Sequence, residues 1–536
     1  MDKPVFLNRS IASTLSLIII LSFMALHATE ANSLSCLHTP YPHVCNHYMT
    51  TNKLSTSSSS SSFHDLALKV TLDQAIEAHQ LVSTMKLDKR FTDRRAKLAW
   101  TDCLELYEDT VHQLNRTVTS SKNLNDRLTW LSAAIANHQT CQHGFLDFNL
   151  HAHLNFFPNM LTNFSKLISN SLAITSAMST TQVDSNKNNN GGRKLLFEGL
   201  FFPDWVSRSD RRLLAGKMAP AADVVVAKDG SGSYKTITEG VEAASKMSGG
   251  GGRRVVVHVK GGVYEENVVI KRRMKNVMIV GDGIGVTVVS GSKTAQETTT
   301  FRSATFAVSG DNFMARDISF ENTAGPGSHQ AVAFRSGADH SVFYRCSFKG
   351  YQDTLYVYAQ RQFYRECDVY GTVDFIFGDA AAIFQNCNIY VRRPMSNQQN
   401  TVTAQGRSDP NENTGIILHG CLVTASSELK PVQGSFKTFL GRPWKEYSRT
   451  VVMKSNLDGL IHPDGWKPWS GSFALNTLYY GEYMNTGNGA ATEGRVKWPG
   501  FHMITSPVEA GKFTVRNFLA GQSWIASVRV PFDAGL

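Results

Sequence analysis

The sequence predicts two domains of different class in series, an all-α antiparallel bundle over residues 32–180 and an all-β solenoid over residues 222–536. Three observations carry this. At 536 residues the chain exceeds one ordinary domain. Its first part repeats apolar residues at helical spacing and is poor in Gly and Pro. Its second part consists of short β-branched runs broken by Gly, Asn and Asp.

The first 31 residues read as an export signal: Lys3 and Arg9 precede an apolar run from Ile11 to Leu26, and the small-residue stretch Ala28-Thr29-Glu30-Ala31 follows. A retained signal-anchor is the alternative, because about twenty apolar residues span a bilayer. No later segment is apolar enough to do so. Eight cysteines, an even number, suit an oxidising compartment. Asn115-Arg-Thr and Asn163-Phe-Ser are candidate glycosylation sequons. A secreted, extracellular protein is expected.

Helices are expected over Phe63–Met85 (Leu66, Val70, Ile76, Leu81), Lys97–Val118 (Leu98, Leu106, Val111, Leu114), Asp126–Phe145 (Leu128, Leu131, Ile135) and Phe157–Met178. The tract Ser55–Ser62 reads as a flexible connection. Residues 181–221 read as a linker, polar and of low complexity at Asn186–Gly192. It holds two basic tetrapeptides, Arg193-Lys-Leu-Leu196 and Arg211-Arg-Leu-Leu214, where a processing protease is expected to cut.

Beyond Asp223 the β-runs recur at roughly twenty-residue intervals with little helix outside Ile237–Met247, which suits the coils of a solenoid better than hairpins. A register argument gives this solenoid chemistry. Cys346 and Cys367 lie 21 residues apart, and seven residues after each comes an aspartate, Asp353 and Asp374. If that interval is one coil, the aspartates stack about 4.8 Å apart. The cysteines are expected to bridge on the same ground, and Cys387 and Cys421 are a further candidate pair. Two carboxylates about 5 Å apart repel by roughly 3 kcal/mol at an effective dielectric of 20. One is then protonated and the other ionised, an acid beside a base or nucleophile. Gln352 and Gln330 offer amide donors for an oxyanion, and Arg442 a guanidinium to orient one aspartate. Tyr351, Phe377, Trp444, Trp466 and Trp469, in loop-like contexts, are expected to line a sugar-binding groove.

Other chemistries find no support. There is no GxSxG elbow, no HExxH and no CxxC, so neither a serine-hydrolase elbow nor a zinc site is expected. Gly281-Asp-Gly-Ile-Gly285 lacks a βαβ context, and Gly249–Gly252 lacks the lysine of a phosphate loop; both read as turns. The net charge of +10 suits a polyanionic partner without naming it.

Five segments, in order, carry a resemblance. Gly262-Val-Tyr-Glu-Glu266, Gln330-Ala-Val-Ala-Phe334, Gly350-Tyr-Gln-Asp-Thr354, Gly371-Thr-Val-Asp-Phe-Ile-Phe-Gly378 and Leu440-Gly-Arg-Pro-Trp444 resemble the pectinesterase family of carbohydrate esterases. The helical region with its two pairs of cysteines resembles the pectin methylesterase inhibitor domain. The resemblance implies an all-β right-handed parallel β-helix catalytic domain preceded by an all-α four-helix bundle that serves as an inhibitory or folding pro-region. It implies hydrolysis of galacturonate methyl esters in pectin, with no cofactor and no metal.

Carried over by motif, Asp374 is the nucleophile, Asp353 the acid and then base, and Gln352 the oxyanion donor assisted by Gln330. Arg442 binds substrate and positions Asp374, while Trp444 and Thr300 line the groove. Separate inhibitor proteins are possible partners; nucleic acid is not, and a monomer is expected. The departures are Asp379, where the family usually has Asn, and Phe334 and Ser336 for the more usual Leu and Val. A binding protein with the bundle as its working part, and a lyase or galacturonase on the same fold, are the competing readings.

Overall fold

Local chemistry sets where the helices begin. The computed structural model describes residues 35–53, 62–84, 93–120, 123–154, 159–187, 221–247, 253–528 and 530–536. The export signal, most of the Ser tract and both basic tetrapeptides lie outside them. Helix α1 (Pro42–Lys53), which the periodicity did not announce, is tied to the preceding turn by the Cys36–Cys45 disulfide. Helices α2 (Phe63–Thr84), α3 (Arg94–Thr119), α4 (Leu124–Leu146) and α5 (Asn159–Lys187) follow. The starts of α3 and α4 precede the expected ones by two or three residues, because Asp93 and Asn123 accept the N–H of Arg95 and Asn125 as N-caps. These four helices pack in a closed ring, α2 on α3, α3 on α4, α4 on α5 and α5 on α2. Trp100, Leu106, Leu131, Phe145, Phe164 and Leu172 fill the centre, and Cys103–Cys141 ties α3 to α4.

The remainder is a right-handed parallel β-helix. One wall is a seven-stranded sheet in simple chain order: β1 (Val268–Ile270), β2 (Phe306–Val308), β3 (Phe334–Ser336), β4 (Leu355–Val357), β5 (Ile376–Gly378), β6 (Asn400–Gln405) and β7 (Thr438–Gly441). Every coil adds one parallel strand, so side chains at equivalent positions form columns. Inside, Phe343, Tyr364 and Phe384 stack at 4.6 and 4.3 Å. Phe334, at one of the positions departing from the family pattern, stacks on Phe306 at 5.4 Å.

At one corner each coil turns through a left-handed residue: Asp317, Arg345, Glu366, Asn386, Gly420, Lys454 and Met484 all have φ between 50° and 66°. Only Asn, Asp and Gly take that conformation readily. The four others are held there by the register of the strands that follow. Gly378, at φ 129° directly after Phe377, has a different reason: a Cβ there would meet the Val357 carbonyl oxygen at 2.1 Å.

The cysteine expectation needs correction. Register places Cys346, Cys367, Cys387 and Cys421 in one column, yet all four are free and buried. In-register neighbours on parallel strands point the same way and keep the rung spacing of about 4.8 Å, whereas a disulfide brings Cβ atoms to about 3.8 Å. The column is held differently, with the Cys346 and Cys367 N–H groups donating to the sulfurs of Cys367 and Cys387 at 3.5 and 3.4 Å. Burial pushes the thiols of Cys367, Cys387 and Cys421 well above their ordinary pKa. A thiol reagent should therefore find no reactive cysteine in the folded protein and four per chain after unfolding without reductant. A count of two or zero would mean that the column is bridged.

Candidate active site

The site is built on consecutive rungs. Leu355 pairs with Ile376 and Tyr356 with Phe377, so Asp353 and Asp374, two residues before each strand, stand in register. The Asp353 N–H donates to the Val373 carbonyl at 3.0 Å. Both aspartates adopt left-handed φ, 62° and 52°, a conformation that costs a non-glycine residue roughly 1 kcal/mol or more and that clusters at functional sites. Their exposures are 8% and 5%, so neither charge is freely hydrated.

The two carboxyls have unlike surroundings. Asp374 is clamped by Arg442, whose Nε and Nη2 donate to its two oxygens at 2.8 and 2.6 Å. This is the charge-assisted, two-point pairing that fixes both position and angle of a carboxylate. Thr401, the next residue in its column, donates its hydroxyl to Asp374 Oδ1 at 2.7 Å and accepts the Asp374 N–H at 2.8 Å. Arg442 lies over the Trp469 ring at 4.3 Å. Asp353 has no such clamp. Burial, then the negative charges of Asp374 and Asp147, push it well above the ordinary carboxylate range, with Arg442 only partly offsetting them. One group is thus held and oriented by a guanidinium, while the surroundings of the other favour its protonated form.

A cavity of about 240 Å³ opens on this pair and is lined by Gln330, Gln352, Thr300, Phe377, Trp444 and Trp469, all site residues expected from the sequence. Two aromatics are not there. Trp466 is fully buried, stacked on Tyr480 at 4.2 Å with its indole N–H on Glu482, and serves the core. Tyr351 faces a neighbouring groove, under the Arg392 guanidinium at 3.7 Å. Asp379 is turned away from the pair, accepting from Gln405 at 3.1 Å and Thr414 at 2.6 Å. Of the sequons, Asn115 is exposed on α3 and Asn163 half-buried on α5.

Thr401 went unnoticed because its coil is 27 residues long, so the 21-residue interval does not point to it. The roof of the cavity also carried no sequence signal, since it belongs to the other domain. Thr140, His143 and Gly144 of α4, and Asp147 just beyond it, close over the site. His143 stacks on Trp444 at 5.3 Å and contacts Lys445 Nζ at 2.6 Å. Asp147 accepts the Thr300 hydroxyl at 2.9 Å, and Tyr358 donates to Asn137 at 2.6 Å.

The apolar core of the bundle runs without a break into Phe301, Tyr356, Tyr358 and Phe377 of the β-helix. Ion pairs frame the contact: Asp102 and Glu105 with Arg302, Glu108 and Asp109 with Arg272, Asp126 with Arg361, and Arg116 with Asp311 and Asp339. Burial, followed by the Lys445 charge, lowers the His143 pKa to about 3. Its imidazole should stay neutral in an NMR titration from pH 7 down to about 4. A midpoint near the ordinary 6.5 would show that the roof is open in solution.

Comparison with known proteins fits this arrangement. The pectinesterase family model matches residues 223–522, and that of the plant invertase/pectin methylesterase inhibitor family matches residues 31–174. The chain is 52% identical over 529 residues to "Probable pectinesterase/pectinesterase inhibitor 6" of Arabidopsis thaliana, covering 94% of each chain. It is likewise 52% identical over 505 residues to "Pectinesterase 2" of Citrus sinensis, again over 94% of each. Among solved structures, pectin methylesterase from carrot is 55% identical and superimposes with a TM-score of 0.58, over 60% of this chain and 100% of that one. The chain belongs to the pectinesterase family, a carboxylic ester hydrolase on a parallel β-helix, preceded by a helical domain of the inhibitor family.

Proposed function

We propose that Asp374 is the nucleophile and Asp353 the proton carrier in hydrolysis of the methyl esters of galacturonate units in pectin. The observation that carries this assignment is the in-register pair with unlike surroundings, one carboxylate clamped by Arg442 and the other buried with no ion pair among the described residues. Asp374 attacks the ester carbonyl carbon, and the oxyanion that forms is received by the Gln352 amide, with Gln330 assisting. As the C–O bond to methoxide breaks, Asp353 gives up its proton and methanol leaves. Asp353 then takes a proton from water, whose oxygen attacks the acyl-enzyme carbon and releases the galacturonate carboxylate and Asp374. Thr300, Phe377, Trp444 and Trp469 hold the sugar, and Arg442 keeps Asp374 aligned.

In the same reading the helical domain is an autoinhibitory pro-region. Asp147 places a carboxylate beside Thr300 inside the catalytic cavity, where a galacturonate carboxylate would stand, and His143 covers the Trp444 face a sugar would use. Export, followed by cleavage at Arg193–Leu196 or Arg211–Leu214, would free the enzyme in the cell wall. The uncovered face would then be open to separate inhibitor proteins.

The test is methanol release from methylated pectin. Residues 216–536 should release methanol and leave the polysaccharide uncut, and the intact chain should be at least tenfold slower. Asp374→Asn should abolish release; an unchanged rate would exclude the nucleophile. Shortened chains would mean a lyase or galacturonase. Thr401→Val removes a hydrogen bond to a charged group, about 1.5–3 kcal/mol, so kcat should fall tenfold or more with KM little changed, and Thr401→Ser should restore most of it. Asp353 must be protonated to act as acid, so kcat/KM should fall as pH rises through its raised pKa. A high-pH limb near the ordinary value of about 4 would remove Asp353 from that role.

A further inference from the structure

A second cavity, of about 590 Å³, lies on the face next to the cleft and is lined by Arg407, Tyr447, Arg449, Tyr479, Phe513 and Phe518 among others. Its two guanidiniums make no ion pair with any carboxylate among the described residues. Arg407 donates to the backbone carbonyls of Glu412 at 2.9 Å, Tyr447 at 3.3 Å and Pro410. Arg449 is less satisfied still. Its backbone N–H reaches Gln405 Oε1 at 2.7 Å, and its stem passes over Gly415 beside the Phe518 ring. Its guanidinium has no hydrogen-bond partner among the described residues. Elsewhere in the wall, Tyr479 donates to Glu509 at 2.9 Å, and Lys512 pairs with that same carboxylate.

A half-buried guanidinium beside another cation is costly unless an anion joins it. Burial, then repulsion from Arg407, pushes Arg449 down to about 9. The charges of Glu412 and Asp379 offset this only in part, and neither carboxylate pairs with Arg449. Glu412 receives the Ser408 and Asp409 N–H groups, and Asp379 the Gln405 and Thr414 donors.

The position of the cavity suggests the ligand. Two chain segments run from the catalytic cleft into it: Ala404 and Trp444 line the cleft, while Arg407 and Tyr447, each three residues on, line the second cavity. Three residues of extended chain reach at most about 11 Å. Aromatic walls suit the C–H faces of a pyranose ring, and a free guanidinium suits a carboxylate.

We propose that this cavity binds a uronate unit, its carboxylate on Arg449, as an anchor for polysaccharide already de-esterified in the neighbouring cleft. The proposal rests on the hydrolase reading of that cleft. It assigns the second site to product rather than to the ester.

Unesterified trigalacturonate can be titrated calorimetrically into the intact chain, whose catalytic cleft is roofed by the bundle. Binding should weaken at least tenfold in Arg449→Gln and stay unchanged in Arg442→Gln; the methyl-esterified trimer should bind at least tenfold more weakly. Equal binding by wild type and Arg449→Gln, or loss in Arg442→Gln, would overturn the site. Competition by acetate at equal carboxylate concentration would overturn the uronate assignment. Should Arg449→Gln melt early, Tyr447→Leu, which keeps both cations, should still weaken binding about threefold or more, and wild-type binding there would refute the sugar contact. Methanol release from pectin is a separate readout: its failure would remove the reading of the cleft, whereas unaltered trimer binding alongside normal release would remove only the second site.

Discussion

Parallel stacking of successive coils at a rung of about 4.8 Å is the constraint on which the rest of this molecule depends. It aligns Asp353 with Asp374 and brings Thr401 beneath the latter. It also brings Arg442 into the column of Phe377 and Ala404, one rung beyond the Thr401 strand. The same spacing keeps the cysteine column unbridged, because a distance that lets carboxylates couple is too long for a disulfide between neighbours pointing the same way. Coupling and non-bonding are two outcomes of one geometry.

The rung also governs the electrostatics. Two acids one rung apart cannot both ionise cheaply, and the asymmetry of their partners decides which holds the proton. The Arg442 clamp stabilises charge on Asp374, while burial and the repulsion of Asp374 and Asp147 disfavour it on Asp353. In the proposed reaction, acid and nucleophile are thus differentiated before the ester arrives, so little reorganisation is left for the reaction itself.

The bundle exploits this prepared surface. Its core merges with the aromatic floor of the cleft, and acids on α3 and α4 meet arginines of the β-helix. Some of these pairs are deeply buried. Against the pull of burial, Arg361, with His340 and Arg116, holds Asp339 well below the usual carboxylate range, and the Trp130 indole adds a hydrogen bond at 3.2 Å. Asp102 goes the other way: burial raises it to about 6 despite Arg302 and Thr299. Buried pairs of this kind add little net stability but penalise wrong orientations heavily. Apolar contact supplies the attraction, and the ion pairs select the one orientation that puts Asp147 and His143 over the Asp353–Asp374 pair.

By itself the sequence determined both fold classes, the coil interval, and the aspartates, amides and arginine of the site. Each of these is local or periodic: helical spacing, turn residues, and two coils of equal 21-residue length that carry register in their numbering. Only the tertiary structure decided the rest. Thr401 was hidden by a 27-residue coil, and the Arg442 column by a 38-residue step. Trp466 could not be told from Trp469 by context, because burial depends on what packs above, here Tyr480 for one and the Arg442 guanidinium for the other. Asp147 and His143 left no trace near the catalytic motifs, since surfaces that meet by docking need no common period in the chain.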